Sequence, residues 1–170
     1  KIRKEYKKLI SSNNEILNSL SIKYKYSFSK KKIQKYKNFY RLRLIGMGGS
    51  ILGTEAIYNF LKHKIKKKII FFNNLNSDIV KQKEKKTINL VVSKSGNTLE
   101  TISNLNILTN KNDKHIFITE NKNNYLNNLA NKLKADIVEH NNFIGGRYSV
   151  LSEVGMLPAE LIGLNPKKFK

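Results

Sequence analysis

The sequence predicts an α/β fold, a three-layer αβα sandwich around a five-stranded parallel sheet, preceded by an N-terminal helical segment. Two observations carry that reading. Five short apolar runs, at 41–47, 68–72, 88–92, 115–119 and 135–139, alternate with helix-like patterns over 51–63, 98–108 and 125–133, an alternation that marks βαβ units with right-handed crossovers. The loops after these runs are rich in glycine, hydroxyls and amides, as expected at the carboxyl ends of parallel strands, where ligands of open sheets bind.

Taken in order, Ile2, Tyr6, Leu9, Ile10, Ile16, Leu17 and Leu20 recur near helical spacing within residues 1–38, the lead-in. A lysine-rich stretch over 23–37 reads as a connector into the main domain, residues 39–170. The run 88–92, INLVV, suits a strand buried on both faces. A short helix is expected over 77–81, and the lysine patches at 64–68 and 81–86 read as solvated connectors. There is no internal repeat.

Composition narrows the classes. A chain of 170 residues, 39% hydrophobic, supports one well-cored domain with an appendage. The net charge of +21 raises nucleic-acid binding first. Against it, the charge is almost all lysine, spread from Lys1 to Lys170, with arginine only at 3, 41, 43 and 147. The matching excess of asparagine and isoleucine is what a genome rich in A and T would give without a polyanionic partner. No specific nucleic-acid or membrane partner is expected, although the positive field should concentrate small anions. The absence of cysteine excludes disulfides and thiolate chemistry and fits a reducing, cytoplasmic setting. The N-terminus lacks a signal-peptide core, no segment approaches the roughly 20 apolar residues of a membrane span, and a start at Lys1 fits a trimmed piece of something larger.

Three motifs carry chemistry. In SKSGNTLET, Gly96 permits a tight loop and 97–100 opens a helix, so free N–H groups beside the hydroxyls of Ser93, Ser95 and Thr98 form a ready anion site. Asn97 as N-cap with Glu100 as capping-box partner accounts for part of the same pattern and is compatible with anion binding. Lys94 adds charge to the site or faces solvent. In IGMGGSILG, Gly46 and Gly48 match the start of a dinucleotide fingerprint, but Ile51 replaces its third glycine and Asn73 and Asn74 stand where an acidic residue would hold a ribose. Gly48 and Gly49 instead allow close backbone approach, with Ser50 offering a hydroxyl, or form a plain strand-to-helix turn. In FIGGRYSVLSEVG, Arg147 follows two glycines in a chain that otherwise uses lysine. Its planar fork suits an oxyanion, the alternative being an arginine that satisfies carbonyls. His63, His115 and His140 lack metal-ligand spacing, so no metal and no cofactor is expected.

Together, these three motifs, in this order and spacing over about residues 40–165, resemble the phosphoglucose isomerase family, whose lobes are sugar-isomerase (SIS) domains. GGRYS is the most specific element. The resemblance implies an SIS-type fold and interconversion of glucose 6-phosphate and fructose 6-phosphate, with Gly49, Ser50, Ser93, Lys94, Ser95, Gly96, Asn97 and Thr98 around the substrate phosphate and Arg147 stabilising the enediolate. It also implies a homodimer in the full-length enzyme. The base, the ring-opening histidine and a further lysine would come from a second SIS lobe that this chain lacks. Glu153 departs from the family pattern, which usually has a small residue or proline there, and Gly96-Asn97 is shared with the wider SIS group. A stand-alone SIS regulatory module and a bifunctional phosphoglucose/phosphomannose isomerase are the alternatives, with GGRYS favouring the glucose-specific branch.

Overall fold

A computed structural model describes residues 1–12, 14–75, 86–110 and 113–170. The helix expected over 77–81 lies outside them, as does the 81–86 connector apart from Lys86. The sheet has five parallel strands, β1 (Arg41–Gly46), β2 (Lys68–Phe72), β3 (Thr87–Val92), β4 (Lys114–Thr119) and β5 (Asp136–Glu139), in the order β2-β1-β3-β4-β5. Three short helices open the chain, α1 (Ile2–Ser11), α2 (Glu15–Ser19) and α3 (Lys30–Ile33). Then come α4 (Gly49–Leu61), α5 (Leu99–Leu108), α6 (Tyr125–Lys132) and α7 (Glu153–Leu161).

Strand alternation sorts side chains into two cores, which makes the sandwich three-layered. Leu42, Leu44, Ile88, Leu90, Val92, Ile116 and Ile118 face one side with Ile51 of α4 and Val154, Leu157 and Leu161 of α7. Ile45, Val91 and Phe117 face the other with Leu105 and Leu108 of α5 and Leu126 and Ala130 of α6. Each of these buried Leu, Ile, Val and Phe side chains contributes about 1.5–3 kcal/mol relative to exposure, which is why lysine-rich surroundings do not obscure the strands.

Two expectations need correction. The stretch 23–37 is more than a connector: Ser29 caps α3 through Lys32 N, and a 3-10 turn follows over Gln34–Tyr36. Ile33 and Tyr36 are buried in the main core, and Tyr36 Oη donates to Asp136 Oδ2 at 2.8 Å. Apolar anchors four residues or fewer apart outweigh the lysines around them. Second, α7 has no counterpart among the expected elements, and it forms despite containing Gly155 and Pro158. Pro158 withholds the N–H that Val154 O would accept in a helix. Thr54 Oγ1 of α4 donates to that carbonyl at 3.2 Å, so the helix continues with its orphaned acceptor satisfied.

A buried polar row crosses the sheet. Arg43, Asn89 and His115 are register partners on β1, β3 and β4. His115 Nε2 lies 3.2 Å from Asn110 O and Nδ1 lies 3.5 Å from Asn89 Nδ2, contacts that a neutral ring protonated at Nε2 satisfies. Burial pushes the pKa of His115, and likewise of His140 after β5, below the ordinary 6.5. Between those depressed values and 6.5 the unfolded chain binds more protons than the folded one, so stability is present above that window and is lost as pH falls through it. The melting temperature is therefore expected to fall between about pH 7.5 and about pH 5, and His115→Gln to flatten the slope. A profile flat over that range in the native chain would contradict this account.

Candidate functional site

The sheet order creates one crevice at its carboxyl edge. From β1 the chain crosses through α4 to β2 on one side, and from β3 through α5 to β4 on the other, so the order reverses between β1 and β3. Gly46 and Val92, the last residues of these strands, are register partners. The loops 47–48 and 93–98 thus begin side by side and each turns at once into a helix. Neither α4, which starts after Gly48, nor α5, which starts after Thr98, has a side-chain cap. In α4, Ser50 N and Ile51 N donate to Met47 O and Gly48 O, whereas among the described residues no partner engages the N–H groups of Leu99, Glu100 and Thr101 at the start of α5, where the helix end carries a partial positive charge.

Internal hydrogen bonds shape the second loop. Ser93 Oγ is 2.8 Å from Thr98 Oγ1 and accepts from Gly96 N at 3.2 Å, while Ser95 Oγ accepts from Asn97 N at 3.2 Å. Gly96 has φ +71°, and a Cβ there would overlap the Asn124 side-chain amide, so only glycine fits. The expected cap is displaced by one residue: Thr98, not Asn97, is the N-cap, and the Asn97 side chain accepts instead from Tyr125 N at 2.9 Å, in α6. That tertiary bond outcompetes local capping and removes the box with Glu100. The Lys94 ammonium is engaged within the protein, 2.6 Å from Asn142 O and 3.6 Å from Glu120 Oε1. Glu120 also pairs with Lys122, whose hydrogen bond holds the carboxylate pKa below its usual range against a smaller opposing effect of burial.

The third motif closes onto the first. Residues Gly146–Leu151 form a 3-10 helix, and the Gly146 carbonyl packs directly on Gly49. A Cβ on Gly49 would overlap that carbonyl and lie 3.0 Å from Arg147 N. Ser149, which sequence reasoning passed over, ties the pair: buried, its hydroxyl lies 2.7 Å from Gly146 O and 3.3 Å from Gly49 O. Its only sequence signal was its place three residues after Gly146. Arg147 is exposed, and among the described residues no hydrogen bond or ion pair engages its guanidinium, which removes the carbonyl-satisfying alternative.

The candidate residues thus gather in two adjoining loops, with the backbone of Arg147 against the first. Two clefts lie elsewhere among the described residues. One of about 740 Å³ is lined by Thr119, Asn127 and Glu139, and an apolar one of about 800 Å³ by Phe60, Leu164 and Phe169. Among the described residues no group of His, Asp or Glu could hold a metal, and no helix is long and apolar enough to cross a membrane.

A crevice at the switch point, flanked by two uncapped helix starts and a hydroxyl-rich loop, is suited to a small anion such as a phosphate ester. The family model of phosphoglucose isomerase matches residues 10–167. The chain belongs to the phosphoglucose isomerase family. Similar curated members include the glucose-6-phosphate isomerase of Mycoplasma genitalium, 35% identical over 72% of this chain and 32% of that protein. That of Acholeplasma laidlawii is 33% identical over 80% of this chain and 37% of that protein. The chain spans about a third of the length of these phosphoglucose isomerase relatives. In fold it resembles a hypothetical protein of Thermus thermophilus, with a TM-score of 0.73 and 20% identity, over 97% of this chain and 44% of that one.

Proposed function

We propose that the chain is the phosphate-binding N-terminal portion of a glucose-6-phosphate isomerase, residues 1–38 forming a helical lead-in and 39–170 an SIS-type domain. One observation carries the reading: the register pairing of Gly46 with Val92, which starts the glycine loop and the hydroxyl loop side by side at the switch point. Gly49, Ser50, Ser93, Ser95, Gly96, Asn97 and Thr98 line the phosphate site, with Lys94 contributing its main chain. The bound dianion positions carbons one and two of the open-chain sugar for proton transfer through an enediolate, and the Arg147 guanidinium offsets the charge that develops on oxygen. The base and the ring-opening groups lie outside residues 1–170, so this piece alone should turn over little or no substrate. The whole enzyme, on this reading, is a cytoplasmic homodimer serving glycolysis and gluconeogenesis.

Calorimetric titration of the chain with fructose 6-phosphate tests the site. Ser95→Ala removes a hydroxyl whose hydrogen bond to a charged phosphate is worth about 1.5–3 kcal/mol, so its Kd should rise at least about tenfold. Affinity indifferent to this change would remove loop 93–98 from the site.

A further inference from the structure

The loop that leads to Arg147 is gripped at two consecutive residues by two different segments of the chain. From the β3 side, Lys94 Nζ donates to Asn142 O at 2.6 Å while paired with Glu120. From the lead-in, Tyr24 Oη accepts from Asn141 Nδ2 and donates its own proton to the Glu153 carboxylate, with oxygens at 2.9 and 3.1 Å. Glu153 is fully buried and accepts a further bond from Ser27 N at 2.9 Å. It sits in the first turn of α7, directly after the 3-10 helix that holds Arg147. Loop 141–146 is therefore tied forward to the phosphate loop and back to the helix that follows it. The Arg147 side chain has no tether of its own among the described residues, so its position is set by these anchors on the loop, one to the Asn142 carbonyl and one to the Asn141 side chain. This also gives Glu153, the departure from the family pattern, a partner supplied by this chain's own lead-in.

We infer that Lys94 and Tyr24 are positioning residues that clamp the Arg147 loop against loop 93–98, the Lys94 ammonium serving Asn142 O and Glu120 and not the substrate phosphate. The catalytic part of this inference rests on the proposed isomerase reading; the clamp itself does not.

The test uses the full-length protein with Lys94→Met, which keeps the apolar stem of a side chain 31% exposed, and with Tyr24→Phe. Amide hydrogen exchange over 141–146 should accelerate at least about tenfold in both variants, with β3 unchanged. In the same variants kcat should fall about 10- to 100-fold through misplacement of Arg147. Affinity for inorganic phosphate should stay within about twofold, and Lys94→Arg, which can reach both partners, should restore protection and turnover together. Unchanged exchange over 141–146 in Lys94→Met overturns the clamp, and so does a tenfold or greater loss of phosphate affinity in that variant. A native protein that binds neither inorganic phosphate nor fructose 6-phosphate would sink the isomerase reading, while exchange would still decide the clamp. Should Tyr24→Phe fail to fold, Lys94→Met decides alone.

Discussion

On the proposed isomerase reading, Arg147→Met is expected to lower kcat of the full-length protein by about 10²- to 10³-fold, the loss typical of removing one donor aimed at a developing oxyanion. Affinity for fructose 6-phosphate should change little. The guanidinium is exposed and engaged by no described residue, so its removal leaves no buried group unpaired and the fold intact. Its backbone adjoins Gly49 in the first loop, while three of the four hydroxyls proposed to hold the phosphate, those of Ser93, Ser95 and Thr98, lie on the second loop, with only that of Ser50 on the first. The two losses should therefore separate: kcat and kcat/KM fall equally when an interaction is made only in the transition state. Arg147→Lys should recover part of the rate, since a point charge remains but the planar two-pronged donor does not. Steady-state kinetics across the three proteins check this. A raised KM at unchanged kcat would move Arg147 into the phosphate site.

How far the sequence carries such an argument depends on the range of the forces involved. The strands were legible because each is built from its own β-branched and aliphatic residues, most of them buried, and the observed limits differ from the apolar runs by a residue or so. The loops at their ends were legible because a parallel sheet has only one edge where such residues can meet a ligand. Long-range pairings were not. The cap of α5 went to Thr98 because Asn97 is claimed by an N–H of α6. In α7 the carbonyl of Val154, orphaned by Pro158, is satisfied by Thr54, a hundred residues earlier. Lys94, read from its neighbours in sequence as adding charge to the anion site or facing solvent, has its ammonium engaged by Asn142 O and Glu120, beyond the ends of later strands. In each case local chemistry allowed two outcomes and a contact distant in sequence selected one.

The same reasoning predicts a large effect from a small change, Gly49→Ala. The first and third motifs meet here backbone to backbone, and a methyl group on Gly49 would occupy the space of the Gly146 carbonyl. A flexible side chain could swing away; a carbonyl inside a 3-10 helix cannot, because Ser149 Oγ already bridges it to Gly49 O. The loops must separate. Overpacking of this kind costs about 1–3 kcal/mol, which in a domain of this size lowers Tm by about 2–4 °C per kcal/mol. On the proposed reading the catalytic effect should be larger, since a shift of about 1 Å between the proposed phosphate site and the guanidinium would lower turnover about 10²-fold. Gly145→Ala is the control: its φ of −67° suits alanine and its Cβ would meet Tyr148 Cδ2 at an ordinary 3.4 Å. That variant should match the native Tm or exceed it slightly through a stiffer unfolded chain. If both alanine variants lose activity alike, loop stiffness and not close approach governs the site; if neither does, the packing of the two glycine loops has no part in placing Arg147.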